Sequence, residues 1–182
     1  MSSPAAEIVT LDLQNAGSSS LTAGVSTLGQ VFQRGDVPGG VGVVGSIGGQ
    51  PVGVQMDVKS RHEDGSVKFA VVSVERPALA AGSEATVVLS TGTAVAQPAV
   101  NLATVSQQHS LVVTLTPQGS SSLGSAPITV DVLAALRKGL ADGSASVWQS
   151  GPLASQARVE VDVPGSMRLK FDVTAFKDGQ IS

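Results

Sequence analysis

Residues 51–74, PVGVQMDVKSRHEDGSVKFAVVSV, constrain the fold more than any other stretch of this chain. Val52, Val54, Met56 and Val58 alternate with Gly53, Gln55, Asp57 and Lys59, the period of two expected of a strand with one buried face. Asp64-Gly65 then supplies a tight turn, because Gly tolerates positive φ and Asp can bond the backbone ahead of it. The chain returns over 67–74, apolar on both faces in its second half, which places this strand inside a sheet.

Such a hairpin needs partners, and composition says what they are made of. Aromatic residues are 3% of the chain, so the core is built from Val, Leu, Ile and Ala, and β-branched Val favours strands. Charged residues are 14%, well below the roughly 25% of an average domain, and Gly is abundant at 21. Low charge and small residues suit a β-protein that spends much of its surface against neighbours; they equally fit a secreted or viral β-domain with long Gly/Ser loops. At 182 residues the chain holds one domain or two small ones.

Eleven Lys and Arg against fourteen Asp and Glu give a net charge of −3, with no basic run denser than Arg137-Lys138. That pattern excludes a phosphate-tracking stripe, so no nucleic-acid partner is expected. Cysteine is absent, which removes disulfides, thiolate zinc sites and a Cys nucleophile. The start, MSSPAAEIVT, has neither a basic nor an apolar segment of a signal peptide. No apolar run approaches the roughly 18 residues that span a bilayer, so no membrane insertion is expected.

Along the chain, 8–13 reads as a first strand and 25–32 as a short apolar stretch. The cluster GDVPGG at 35–40 is a turn, 41–47 a strand, and Gly48-Gly49 its hairpin into the Val52 strand. The run GDVPGGVGVVGSIGG lacks the Lys of a phosphate-binding loop and no helix pattern follows it. A strand over 84–90 closes a unit of about six strands, and the small residues of 91–98 form a linker. A strand at 111–115 opens the second half, followed by a Gly/Ser loop over 117–125.

Residues 131–143 form the one convincing helix. Asp131 caps it, Leu133, Leu136 and Leu140 make its apolar stripe, and Asp142-Gly143 end it. Gly139 inside it costs about 1 kcal/mol against Ala, so the helix depends on packing. Strands resume around Trp148, at 157–163 and at 167–176. In the last two, Val159/Val161/Val163 and Leu169/Phe171/Val173 form buried rows. Their outer rows, Arg158/Glu160/Asp162 and Arg168/Lys170/Asp172, carry opposite charges that support pairing. The hairpin signal at 177–180 is followed by Ile181-Ser182 alone, so the expectation is an open edge completed by more chain or by a neighbouring subunit.

No catalytic residue, metal ligand or cofactor site is assigned. His62-Glu63-Asp64 is the densest titratable cluster, but successive side chains on a hairpin tip point different ways and no second His lies at motif spacing. His109 is far off in sequence. The chain has no G-x-S-x-G elbow, and Asp57 with Asp64 lacks the calcium-loop pattern. Trp148 could stack on a sugar ring, but its place after a Leu-rich helix makes a core position the expectation.

Three segments in order, Phe32-Gln33-Arg34-Gly35-Asp36-Val37-Pro38, Val52-x-Val54-Gln55-Met56-Asp57-Val58 and Asp64-Gly65-Ser66-Val67-Lys68-Phe69-Ala70, resemble a known pattern. It is that of the RIFT-type β-barrel at the N-terminus of exo-rhamnogalacturonan lyase-like proteins, and it is also similar to tail-associated proteins of phages and prophages. Gly53 stands where that pattern has Pro. The resemblance covers residues 8–90 and implies a fold rather than a chemistry, because in the lyase-like family the reaction belongs to a later domain.

The expected architecture is therefore mainly β: a RIFT-like β-barrel at 8–90, then a β-rich unit at 95–182 with one helix near 131–142, continuing past the chain end. The expected function is structural, as the N-terminal attachment portion of a phage tail fibre or related tail protein. Its expected location is the virion tail, and its partners are other tail proteins, copies of itself and, through a distal domain, a glycan. The alternative is a non-catalytic, carbohydrate-binding accessory module of a polysaccharide-degrading enzyme.

Overall fold

Val-rich alternation becomes strand throughout. The computed structural model describes residues 6–118, 124, 126–165 and 167–182, and these described residues are mainly β with two helices. It divides into two units: Met1–Pro98 with Gly151–Leu153, and Ala99–Ser150 with Ala154–Ser182.

The first unit contains β1 (Glu7–Gln14), β2 (Gly24–Val31), β3 (Gly42–Ile47), β4 (Gln50–Val52), β5 (Val54–Arg61), β6 (Val67–Arg76) and β7 (Glu84–Gly92). They pair into two antiparallel sheets, β1-β7-β3-β4 and β2-β6-β5. β6 lies between β2 and β5 and buries Val67, Ala70, Val72 and Val74, with Phe69 and Val71 partly buried. Phe32, Val37, Val43, Val87 and Leu89 complete this core. The apolar stretch after Val25 is a full strand, β2.

One expectation is corrected here. The strand expected from Val52 onward is two strands, β4 in one sheet and β5 in the other, divided at Gly53. The division has a physical cause. Gly53 donates its N–H to Glu75 Oε2 at 3.1 Å, and its carbonyl accepts from Glu75 N at 2.9 Å. A Cβ on residue 53 would sit 2.5 Å from the same carboxylate oxygen. Gly53 thus lets the chain change sheets against Glu75.

The second unit contains α1 (Leu102–Ser106), β8 (Val112–Leu115), β9 (Ile128–Asp131), α2 (Val132–Asp142), β10 (Ser146–Ser150), β11 (Ala154–Val163) and β12 (Met167–Phe176). β8 pairs with β9, and β10-β11-β12 form a three-stranded antiparallel sheet. Asp131 caps α2 by accepting from Ala134 N at 2.9 Å, and Gly143 ends it with a left-handed φ of 76°. Leu133 and Leu136 pack against Ala157, Val159 and Val173 on one face of the sheet. Gly139 is buried because the chain folds straight back over it: Ala145 N donates to Gly139 O at 2.9 Å. That close approach explains a helix-weakening residue inside α2.

A single helix was expected in this unit, and α1 is a second. Asn101 caps it by accepting from Thr104 N at 3.0 Å. Five residues are too few to display a 3.6-residue period. Most of the loop expected over 117–125 lies outside the described residues. At the far end, the turn after β12 leads into a short return, with Phe176 N bonded to Gln180 O and Thr174 and Ser182 exchanging both backbone bonds. The edge of β12 is therefore covered over 174–176.

Candidate functional site

The cluster His62-Glu63-Asp64 forms the tip of the β5–β6 hairpin. Gly65 N donates to His62 O at 3.0 Å and His62 N to Ser66 O at 2.9 Å, which closes a three-residue loop ending in Gly65 at φ 82°. Asp64 Oδ1 then accepts from both Ser66 N (3.0 Å) and Ser66 Oγ (2.6 Å). Those bonds hold the Asp64 carboxyl below its ordinary range, so it stays ionised and cannot serve as a proton donor near neutrality.

Ser66 is buried, and its hydroxyl also accepts from Gly35 N at 3.1 Å. His62 Nε2 meets Phe32 O at 3.1 Å, and Val67 N donates to Val37 O at 2.9 Å. Gln33 N donates to Asp36 Oδ2 at 2.8 Å. The first and third segments of the family-like pattern are therefore tied to each other, and the side chains of Asp36, Asp64 and Ser66 bond backbone. Among the described residues Glu63 reaches Arg34, at 3.5 Å, with both side chains mostly in solvent.

Gln55, in the second segment, is buried. Its amide donates to Asp57 Oδ2 at 2.7 Å and its carbonyl accepts from Leu153 N at 2.9 Å, and a side chain on Gly151 would occupy the space the amide fills. Gln55 thus fastens Gly151–Leu153 within the first unit. His109, in the second unit, bonds Gly179 O at 2.7 Å through Nε2. Among the described residues no three His, Cys, Asp or Glu side chains converge as a metal site.

A hollow of about 330 Å³ lies in the first unit, lined by Ile47, Gln50, Val52, Glu75, Arg76 and Pro77. Two of its polar side chains bond backbone: Glu75 accepts from Gly53 N, and Arg76 donates to Thr22 O at 2.5 Å. Nothing in it resembles paired acid and base.

Trp148 overturns an expectation. It is 50% exposed rather than core. α2 covers the face of the sheet that carries Ala157 and Val159, whereas Trp148 stands beside Arg158, in the opposite row. The register of β10 against β11 slips between Val147 and Gln149, and Trp148 is the extra residue of that bulge. Arg158 Cζ lies 4.8 Å from the indole centroid, inside the range of a cation–π contact. Arg158 is in turn gripped by Asp172 through Nε and Nη2, both at 2.8 Å. The Asp172 carboxyl is accordingly held below its ordinary range by the guanidinium.

The rest of that outer face is a ladder of opposite charges. Lys170 meets Glu160 at 2.9 Å, and Arg168 bonds Asp162 at 2.6 Å and Glu160 at 3.2 Å. Gln156 donates to Thr174 Oγ1 at 3.0 Å. This face is the one place among the described residues where an exposed aromatic ring stands among organised polar groups. Comparison of the chain with protein-family models, with curated proteins and with solved structures finds no match.

Proposed function

We propose that this chain is a non-catalytic structural β-module, the attachment portion of a phage tail fibre or other tail-associated protein, which packs against other tail proteins and copies of itself. The observation that carries the reading is apolar side chains left on edge strands. Val31 on β2 is 68% exposed, Val112 on β8 is 52% exposed and Val147 on β10 is 56% exposed. An edge strand offers unpaired N–H and C=O groups to any passing strand, and proteins that stay monomeric guard such edges with charge or Pro. Here β2 and β10 carry Val instead. In the densest titratable cluster, His62 and Asp64 are bonded within the turns, which supports the same reading.

The test is light scattering on the intact chain across a wide concentration range, beside a Val31→Lys, Val112→Lys variant. The expected result is an oligomer that the paired lysines shift toward monomer. A monomer at every concentration would count against self-association and against this reading. The second reading, a carbohydrate-binding accessory module of a polysaccharide-degrading enzyme, is favoured by one observation, the half-exposed Trp148.

A further inference from the structure

We infer that the outer face of β10–β11–β12 binds a neutral, β-linked, all-equatorial pyranose chain, with Trp148 as its stacking plate. This inference rests on the second reading above and gives it a site. The chain has one Trp and no Tyr, and it places that Trp half in solvent. An isolated exposed indole would swing between rotamers. This one is braced by Arg158, and Arg158 is fixed by a two-point bond to Asp172 on the neighbouring strand. The plate is held before any ligand arrives, which spares the ordering cost of binding.

The polar groups around it select the ligand class. Arg158 spends Nε and Nη2 on Asp172, which leaves Nη1 as a donor among the described residues. Gln156, two residues along β11 on the same face, spends its Nε2 on Thr174 and keeps its carbonyl as an acceptor. Each Asp172 oxygen retains a further lone pair. Arg158 lies over one face of the indole, so a sugar ring stacks on the other face, and the donor and acceptors around the plate match vicinal hydroxyls, each of which both donates and accepts. An all-equatorial ring turns its axial C–H groups toward the indole and its hydroxyls outward along the sheet, so both demands are met at once.

Charge argues for a neutral chain. The guanidinium beside the indole is already compensated by Asp172, and Arg168 and Lys170 by Glu160 and Asp162. A uronate would find no unpaired cation on this face, and a phosphorylated ligand would meet a chain of net charge −3.

The experiment is a titration of the intact chain with cellohexaose, followed by intrinsic fluorescence, whose tryptophan signal comes entirely from Trp148, and by calorimetry. The hexamer of galacturonic acid serves as the charged counterpart. Saturable binding of cellohexaose with a change in emission is expected. Trp148→Ala should weaken calorimetric binding by about tenfold or more while leaving the circular dichroism spectrum and the urea midpoint unchanged. Trp148→Phe should restore part of the affinity, which a merely structural role would not require.

Binding of cellohexaose that leaves emission unchanged and survives Trp148→Ala would overturn the site while sparing the carbohydrate-binding reading. Preference for the acidic hexamer would overturn the ligand class. No binding to either would overturn both the site and the reading beneath it.

Discussion

Gly53 is where one residue decides how the chain runs. Its N–H is bonded to the Glu75 carboxylate and its carbonyl to the Glu75 amide, at the point where β4 ends in one sheet and β5 begins in the other. Proline, the residue of the family-like pattern, has no N–H to give and fixes its own φ. Gly53→Pro is therefore expected to lower stability by about 2 kcal/mol, the worth of a hydrogen bond to a charged group. Gly53→Ala should cost less, because the atom it crowds is the movable end of Glu75. Urea denaturation of both variants checks this, and a neutral Gly53→Pro would mean that the bond to Glu75 does not hold the crossing. The same scale explains the DGSV segment: Asp64 and Ser66 are spent on the turn, so their presence in sequence says fold rather than reaction.

Among the elements, α2 and the β11–β12 pair were the most legible, because each carries its own boundary signals. Asp131 and Gly143 stand at the two ends of α2 in the conformations their chemistry favours. Removing the cap with Asp131→Ala is expected to cost about 1 kcal/mol, read as a lower urea midpoint, with Asp131→Asn close to neutral. Equal losses for both variants would show that the charge, not the cap, matters. In β11 and β12, Glu160 faces Lys170 and Asp162 faces Arg168 in direct register, so alternation and charge predicted the same pairing.

What was not legible fails for physical reasons. α1 is too short to show a period, and β9 is four residues abutting a helix. The sheet change at Gly53 depends on Glu75, which lies far along the chain. Trp148 was misplaced because its place after a Leu-rich helix pointed to the core, whereas α2 covers the opposite row of the sheet. Arg158, its brace, could not have been named without the register.

Across the whole molecule, carboxylates held low by bonded partners are distributed unevenly between the two units, and acid should reveal it. In the first unit Asp64 has a carboxyl held low, by Ser66. In the second, Asp142 is held low by Lys138 and Ser144, Glu160 by Lys170 and Arg168, Asp162 by Arg168 and Asp172 by Arg158. A carboxyl whose folded value lies below its unfolded one stabilises the fold fully above the unfolded value, about pH 4, and loses that contribution as pH falls through the folded value. The sign is the same for all of these groups, so protonation favours the unfolded chain. The second unit, where they concentrate, should lose stability first as pH is lowered below about 4. Trp148 belongs to that unit and is the only Trp, so its emission reports the second unit alone, while circular dichroism reports both. Urea midpoints followed by emission should fall between neutral and strongly acidic pH by more than those followed by dichroism. Added salt should shrink the difference, because these pairs are exposed and screened. Emission midpoints that hold steady into strong acid would mean that the ladder on β11 and β12 contributes nothing to holding the second unit together.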